Sequence, residues 1–301
     1  MIRFRNLPRT APGRPTADPM LVSERAHAKV NLALHILGRR PDGYHELDSV
    51  VAFANVADVL TLAPSTDVSL DIVGPFASGL PRDDNNCVLA AWRLLHEFSR
   101  QAGPAIAPVK FHLEKNLPVA AGIGGGSADA AAALRGLVRL FELAVSDADL
   151  QRLALQLGAD VPVCLAQKTC RMRGVGEILE ALAVTLPAGV VLVNPRLPTL
   201  TSKVFAALAL AHGQSFGSAI GDLGLVKDWR NDLTAPALAL VPEIATVIKS
   251  LESRAEILCA RMSGSGATCF GLTETLAHAQ AAAKKISQEH PGWWVVATTR
   301  L

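Results

Sequence analysis

Residues 117–131 read Leu-Pro-Val-Ala-Ala-Gly-Ile-Gly-Gly-Gly-Ser-Ala-Asp-Ala-Ala, so Gly122, Gly124, Gly125 and Gly126 fall within five positions. Glycine lets a backbone turn tightly and lets a ligand reach its N–H groups. The alanine-rich segment behind it has strong helix preference. A helix opening there presents unpaired N–H groups and the positive end of its dipole, a combination suited to a phosphate chain. Two common phosphate loops do not fit. A Walker loop needs Lys and then Ser or Thr after its last glycine, and here Ser127 and Ala128 follow Gly126. A dinucleotide loop needs glycines at its first, third and sixth places, and the sixth place is Ser127. Read alone, the run is also compatible with a flexible turn, although it lies between an apolar strand-like segment and a helix.

Four separated segments together resemble the GHMP kinases, and within them the 4-diphosphocytidyl-2-C-methyl-D-erythritol kinases. The first is residues 28–47, Ala-Lys-Val-Asn-Leu-Ala-Leu-His-Ile-Leu-Gly-Arg-Arg-Pro-Asp-Gly-Tyr-His-Glu-Leu. The glycine run is the second, Gly158-Ala159-Asp160-Val161-Pro162 the third, and Arg261-Met262-Ser263-Gly264-Ser265-Gly266-Ala267-Thr268 the fourth. The resemblance spans residues 24–300. It implies an α+β, two-domain GHMP kinase fold: a ribosomal-protein-S5-like ATP-binding domain over 24–166 and a ferredoxin-like α/β sandwich over 167–301. It further implies ATP-dependent phosphorylation of the substrate's 2-hydroxyl in the non-mevalonate isoprenoid route, with Mg2+ accompanying the ATP.

Phosphoryl transfer needs positioning, charge neutralisation and an acceptor for the hydroxyl proton. By the resemblance, Pro118, Val119, Ala120, Ala121, Gly122, Ile123, Gly124, Gly125, Gly126, Ser127 and Ala128 hold the ATP phosphates; Ser127 alone reads as a helix N-cap. Asp160 is implied as the base, although an Asp on the turn before Val161 and Pro162 reads by itself as an Asx-turn carboxylate. Lys29 is implied to approach Asp160 and steady the developing alkoxide; on its own it is an ordinary surface lysine. Tyr44 and His45 are implied to recognise cytosine and Asn31 the erythritol. Tyr44 alone reads equally as an aromatic packed on its own strand. The family often has a second aromatic wall seven positions after the Tyr; that position is Val51, with Phe53 as the nearest substitute. The loop at Gly264, Ser265 and Gly266 is a hairpin turn by itself and a support for the phosphate region by resemblance. Asn231-Asp232-Leu233 matches a family segment and carries no chemistry in this reading. Kinases of homoserine, mevalonate or a sugar are rivals on the same fold, as is a silent nucleotide-binding protein.

The elements that must hold these residues follow from periodicity. Alternation makes 24–37 a strand, Pro-Asp-Gly within 39–43 a turn, and 48–54, 56–63, 67–73 and 109–113 further strands. Asn86 caps a helix carrying Val88, Leu89, Trp92 and Leu95 on one face. The helix behind the glycines carries Leu134, Leu137, Val138 and Phe141 and ends near Leu143. A third runs from Ser146, with Asp149 at capping-box spacing, to Gly158. In the second half, strands are expected at 169–173, 189–194, 257–262, 267–272 and 293–298, and helices at 202–212, 236–252 and 274–289, giving helices on one face of an antiparallel sheet.

With 301 residues, 50% hydrophobic and 19% charged, the chain reads as a compact globular enzyme. A net charge of +2 gives no reason to invoke nucleic acid or a membrane surface. The expected partner is the small-molecule substrate alone, in a monomer or weak homodimer. Five scattered cysteines without a Cys-x-x-Cys pair argue against a metal site and for reduced thiols in a cytoplasm. Residues 1–23, Arg-rich and broken by prolines, read as a poorly ordered extension rather than a transit peptide.

Overall fold

In the computed structural model, residues 21–103, 105–182, 184–221, 223 and 229–301 are described. The expected disordered extension lies outside them up to Met20; of its last residues, Leu21 is exposed, and Val22 and Ser23 already belong to the first strand. The described chain forms two compact units that interleave in sequence. One comprises the chain up to Ala26, Ala57–Leu117 and Gly126–Leu165; the other comprises His27–Val56, Pro118–Gly125 and Ala166–Leu301.

In the first unit, the later half of β2 (His45–Pro64) pairs antiparallel with β4 (Val109–Glu114), from Val59 opposite Glu114 to Pro64 opposite Val109. β4 pairs parallel with β3 (Ser69–Val73), and α1 (Cys87–Ala102) is the crossover between them. Alternation sets the register: Val109, Phe111 and Leu113 are buried while Lys110 and Glu114 face out. Asn86 caps α1 as expected, its side chain accepting from the Val88 N–H at 2.9 Å. α2 (Gly125–Leu140) is buried along most of its length, and a Cβ at Gly136 would stand 2.6 Å from Leu62 Cδ1. Its alanines and this glycine let the helix lie close against a strand. Ser146 caps α3 (Asp147–Leu157), which stops at Gly158, and the short α4 (Val161–Ala166) completes the unit.

In the second unit, most of β1 (Val22–Arg39), the first half of β2, β5 (Cys170–Gly174) and β6 (Ile178–Ala181) form one set of strands. A separate antiparallel sheet runs in the order β10-β7-β9-β8, from β7 (Gly189–Asn194), β8 (Cys259–Met262), β9 (Cys269–Thr273) and β10 (Trp294–Thr299). The short α5 (Thr201–Ala207) follows β7, and α6 (Thr234–Leu240) precedes α7 (Glu243–Glu252) and α8 (Leu276–Glu289). α7 and α8 pack on this sheet around Val191, Val193, Ile244, Val247, Leu251, Ala282 and Ile286. The α+β class read from the sequence is the class observed.

Several boundaries move for physical reasons. The strands expected at 48–54 and 56–63 are one strand, because Asn55 is exposed and interrupts nothing. The helix expected over 236–252 is two, broken at Val241 and Pro242, since proline supplies no N–H and crowds the carbonyl four residues back. The helix expected over 202–212 ends at Ala207, with Ala209 at a positive φ of 55°. Strand β6, with its half-exposed, uneven pattern, escapes periodicity altogether.

Candidate active site

The glycine loop of the second unit is built against two neighbours. Its carbonyls are used: Ile123 accepts from the Lys29 N–H at 2.9 Å, Ala121 from Thr268 at 3.1 Å, Ala120 from Thr199 at 2.9 Å, and Gly122 from the Ser263 hydroxyl at 2.9 Å. Its N–H groups are not. Among the described residues, none from Val119 to Gly124 donates to another protein group. Gly125, Gly126 and Ser127 then form the first turn of α2, ahead of its first i→i−4 bond. Ser127 is therefore the third helical residue, not the N-cap, and its N–H is one of the unpaired donors. A run of free donors beside a helix start can cradle an anion.

Glycine is required where it stands. Gly122 has φ +73°, and a Cβ there would fall 2.4 Å from the Ser263 carbonyl oxygen and 2.6 Å from the Gly266 nitrogen. Gly264 approaches Gly122 in return, its own Cβ position 2.5 Å from the Gly122 carbonyl oxygen. The late glycine motif thus buttresses the phosphate-type loop. Asn231, to which the sequence assigned no chemistry, braces that buttress by donating to the Met262 and Gly264 carbonyls, both at 2.8 Å.

Lys29 is only 3% exposed, so the surface-lysine reading fails. Both faces of β1 are covered here, with Val30 and Leu32 as buried as Lys29 and Asn31. The Lys29 stem lies along Gly124, where a Cβ would be 3.1 Å from Lys29 Cβ and 3.3 Å from its Cε. Burial pushes the neighbouring Cys170 thiol up to about 11, against the pull of the Lys29 charge, so that thiol stays protonated. Asn31 shares Lys29's strand face. Its Nδ2 donates to Ser49 Oγ at 2.8 Å, and Ser49 spends its own proton on the Ala33 carbonyl at 2.6 Å. That fixes the amide's orientation and leaves the buried Asn31 Oδ1 with no partner among the described residues.

The turn after β1 closes through Arg40 N–H to the Tyr44 carbonyl at 2.7 Å, with Gly43 at φ +93°. Tyr44 is 61% exposed and does not pack on its own strand. His45 opens β2, and its ring lies 4.7 Å from that of Phe205, centroid to centroid, tilted by 41°. Burial, helped by the Arg39 charge, lowers the His45 pKa and keeps the imidazole neutral; its buried Nε2 has no partner among the described residues. Val51 and Phe53, the expected second aromatic wall, are 0% and 1% exposed and present no face to a ligand. The aromatic neighbour of His45 is instead Phe205 of α5, whose distance along the chain carries no sequence signal.

In the first unit, Asp160 follows the Gly158 helix stop and directly precedes α4. Val161 and Pro162 open that helix rather than continuing a turn, since proline is tolerated in a first turn, where its missing N–H costs nothing. The Asp160 carbonyl accepts from Cys164 N–H at 3.2 Å, and the residue is half-buried.

Known proteins share both the sequence pattern and the fold. Residues 86–168 match the GHMP kinases N terminal domain, and residues 204–292 match the GHMP kinases C terminal domain. The chain is 48% identical over 295 residues to a 4-diphosphocytidyl-2-C-methyl-D-erythritol kinase of Bradyrhizobium sp. (strain BTAi1 / ATCC BAA-1182), covering 92% of this chain and 96% of that relative. It is 49% identical over 293 residues to the protein of the same name from Rhodopseudomonas palustris (strain ATCC BAA-98 / CGA009), with the same coverage. A solved 4-(cytidine 5'-diphospho)-2C-methyl-D-erythritol kinase is similar with a TM-score of 0.75 and 34% identity, over 92% of this chain and 98% of that one. A homoserine kinase from Cytophaga hutchinsonii shares the fold, with a TM-score of 0.67 at 18% identity over 95% of this chain and 96% of that one.

Proposed function

The chain belongs to the 4-diphosphocytidyl-2-C-methyl-D-erythritol kinases of the GHMP kinase superfamily, and from that membership we propose that it moves the γ-phosphoryl group of ATP onto the 2-hydroxyl of 4-diphosphocytidyl-2-C-methyl-D-erythritol. In this reading, Asp160 accepts the hydroxyl proton while the Lys29 ammonium steadies the charge that develops on oxygen. The N–H groups of the 118–128 loop hold the triphosphate, and Mg2+ enters with the nucleotide. Asn31 Oδ1 receives a hydroxyl of the erythritol. The neutral His45 ring hydrogen-bonds the edge of cytosine, between Tyr44 and Phe205 as aromatic walls. The division into a 24–166 ATP-binding half and a 167–301 half, a monomer or weak homodimer, and a cytoplasmic location complete the proposal. Among the described residues no helix is long and apolar enough to cross a membrane.

The observation that carries this reading is the glycine loop: its carbonyls are engaged, its N–H groups are free, and the buried Lys29 stem lies on Gly124. Two unpartnered buried polar atoms, Asn31 Oδ1 and His45 Nε2, add groups of the kind a substrate would satisfy. A coupled assay of ADP release tests it. The expected result is ATP-dependent turnover with the diphosphocytidyl substrate and none with homoserine or mevalonate. Turnover of either of those without the diphosphocytidyl compound would refute the assignment. Lys29→Ala and Asp160→Asn should each lower kcat by about 10²-fold or more, the usual scale for a group acting on the transferred proton. Near-normal rates would remove them from the mechanism.

A further inference from the structure

Within the first unit lies a buried charge cluster that the phosphoryl-transfer chemistry does not use. Lys115 follows β4, two residues before Leu117, and its ammonium is 2.5 Å from Asp58 Oδ2 and 2.5 Å from Asp129 Oδ2. All three side chains are at most 3% exposed. Asp58 Oδ1 also accepts from the N–H groups of Asn116 at 2.6 Å and Leu117 at 2.8 Å. Asp129 sits on α2, immediately after Ala128, and its Oδ1 is buried with no partner among the described residues.

Two carboxyl groups thus share one ammonium in a buried interior. Burial pushes the Asp129 carboxyl up to about 7, against the attraction of Lys115 and with the Asp58 charge adding to the push. Such a cluster is a poor way to gain stability, because apolar side chains of similar volume commonly do as well or better. Its geometry is more informative. Leu117 enters the 118–128 loop and Asp129 leaves it, and one ammonium reaches the groups that hold both ends. The backbone of Lys115 is fixed in turn, its N–H donating to the Val73 carbonyl at 2.8 Å while Gly74 packs against it.

We propose that Lys115 is a positioning residue for nucleotide binding: by joining Asp58 to Asp129 it sets the separation of the loop's two ends and so the aim of the N–H groups that grip the ATP phosphates. The inference rests on the reading of that loop as the phosphate site. It gives Lys115 no contact with substrate.

Lys115→Met, Lys115→Arg and Asp129→Asn, each checked for folding by circular dichroism, are compared with the unaltered protein. The readouts are the Kd of a fluorescent N-methylanthraniloyl ATP and the separate KM values for ATP and the diphosphocytidyl substrate. Lys115→Met should weaken nucleotide binding by about tenfold or more, the scale of an ångström-sized displacement of positioned groups, and leave the KM of the second substrate within about twofold. Lys115→Arg should recover most of that loss, and Asp129→Asn should show a smaller one. A purely structural role would lower the folded fraction without changing nucleotide Kd in the folded protein. That result, or equal changes in both KM values, overturns the proposal. If Lys115→Met does not fold, unchanged Kd in both other variants overturns it equally. An unaltered protein that binds the nucleotide but does not turn over the diphosphocytidyl compound refutes the kinase assignment while the Kd comparison still decides the role of Lys115. One that binds no nucleotide refutes both.

Discussion

In the proposed reading, single residues divide between those that shape the glycine loop and those assigned to face the substrate. Gly122 belongs to the first group. Gly122→Ala must adopt φ near +73° and thrust a methyl group to 2.4 Å from the Ser263 carbonyl oxygen. Left-handed strain and overpacking together should cost about 3 kcal/mol, visible as a lowered urea midpoint, and nucleotide binding should fall with it. Tyr44 belongs to the second group. At 61% exposure, Tyr44→Ala should change stability by no more than about 0.5 kcal/mol, the usual limit for a surface site. Its effect should instead appear as a raised KM for the diphosphocytidyl substrate with the KM for ATP unmoved. An unchanged substrate KM would take the ring out of the cytosine pocket.

Elements carry constraints that residues alone do not. Asp48 on β2 is fully buried and receives the Arg171 guanidinium of β5 in a fork at 2.7 and 2.6 Å. The same carboxylate accepts from the Ile220 N–H at 2.7 Å, fastening the chain after α5 to the strands. Burial works to raise the Asp48 pKa, but the Arg171 fork and the Ile220 bond outweigh it and hold the carboxyl below its ordinary range. A carboxylate whose folded pKa is depressed contributes stability above its unfolded value of about 3.9. That contribution is lost as pH falls through the lower folded value. Thermal melts taken across the acid range should therefore steepen in their loss of stability below about pH 4, and Asp48→Asn should be less stable at neutral pH with a flatter acid limb. An acid limb identical in the two proteins would remove Asp48 from the account.

At the scale of the whole molecule, the two units interleave: the chain passes between them at 26, 56, 117, 125 and 165. β2 meets β4 in one unit and β5 in the other. The partners of the glycine loop's carbonyls include Thr199, Ser263 and Thr268, all late in sequence. A fragment ending at residue 166 keeps the loop and loses those partners and β5. It should give no cooperative unfolding transition and bind no nucleotide, which calorimetry and fluorescence titration would check; a cooperative, nucleotide-binding fragment would contradict the packing described. In the full chain, ATP with Mg2+ at a hundredfold excess over Kd should add about 2.7 kcal/mol of stability and raise Tm by several degrees.

The loop glycines, the caps at Asn86 and Ser146, the α+β alternation and the family-bearing motifs are all legible in the amino-acid sequence, because each expresses itself over a few adjacent residues or a short period. So is the helix behind the loop, whose alanines announce it. What the sequence conceals is long-range. Alternation puts Lys29 on a strand face, but only the packing of the distant glycine loop along its stem shows how it is buried. Phe205 beside His45, Asn231 beneath the Gly264 loop, and Lys115 between Asp58 and Asp129 are pairings across tens to hundreds of residues. Local periodicity reports which face a side chain takes; which distant side chain meets it there is decided by tertiary packing, since chain separation leaves no trace in spacing or propensity.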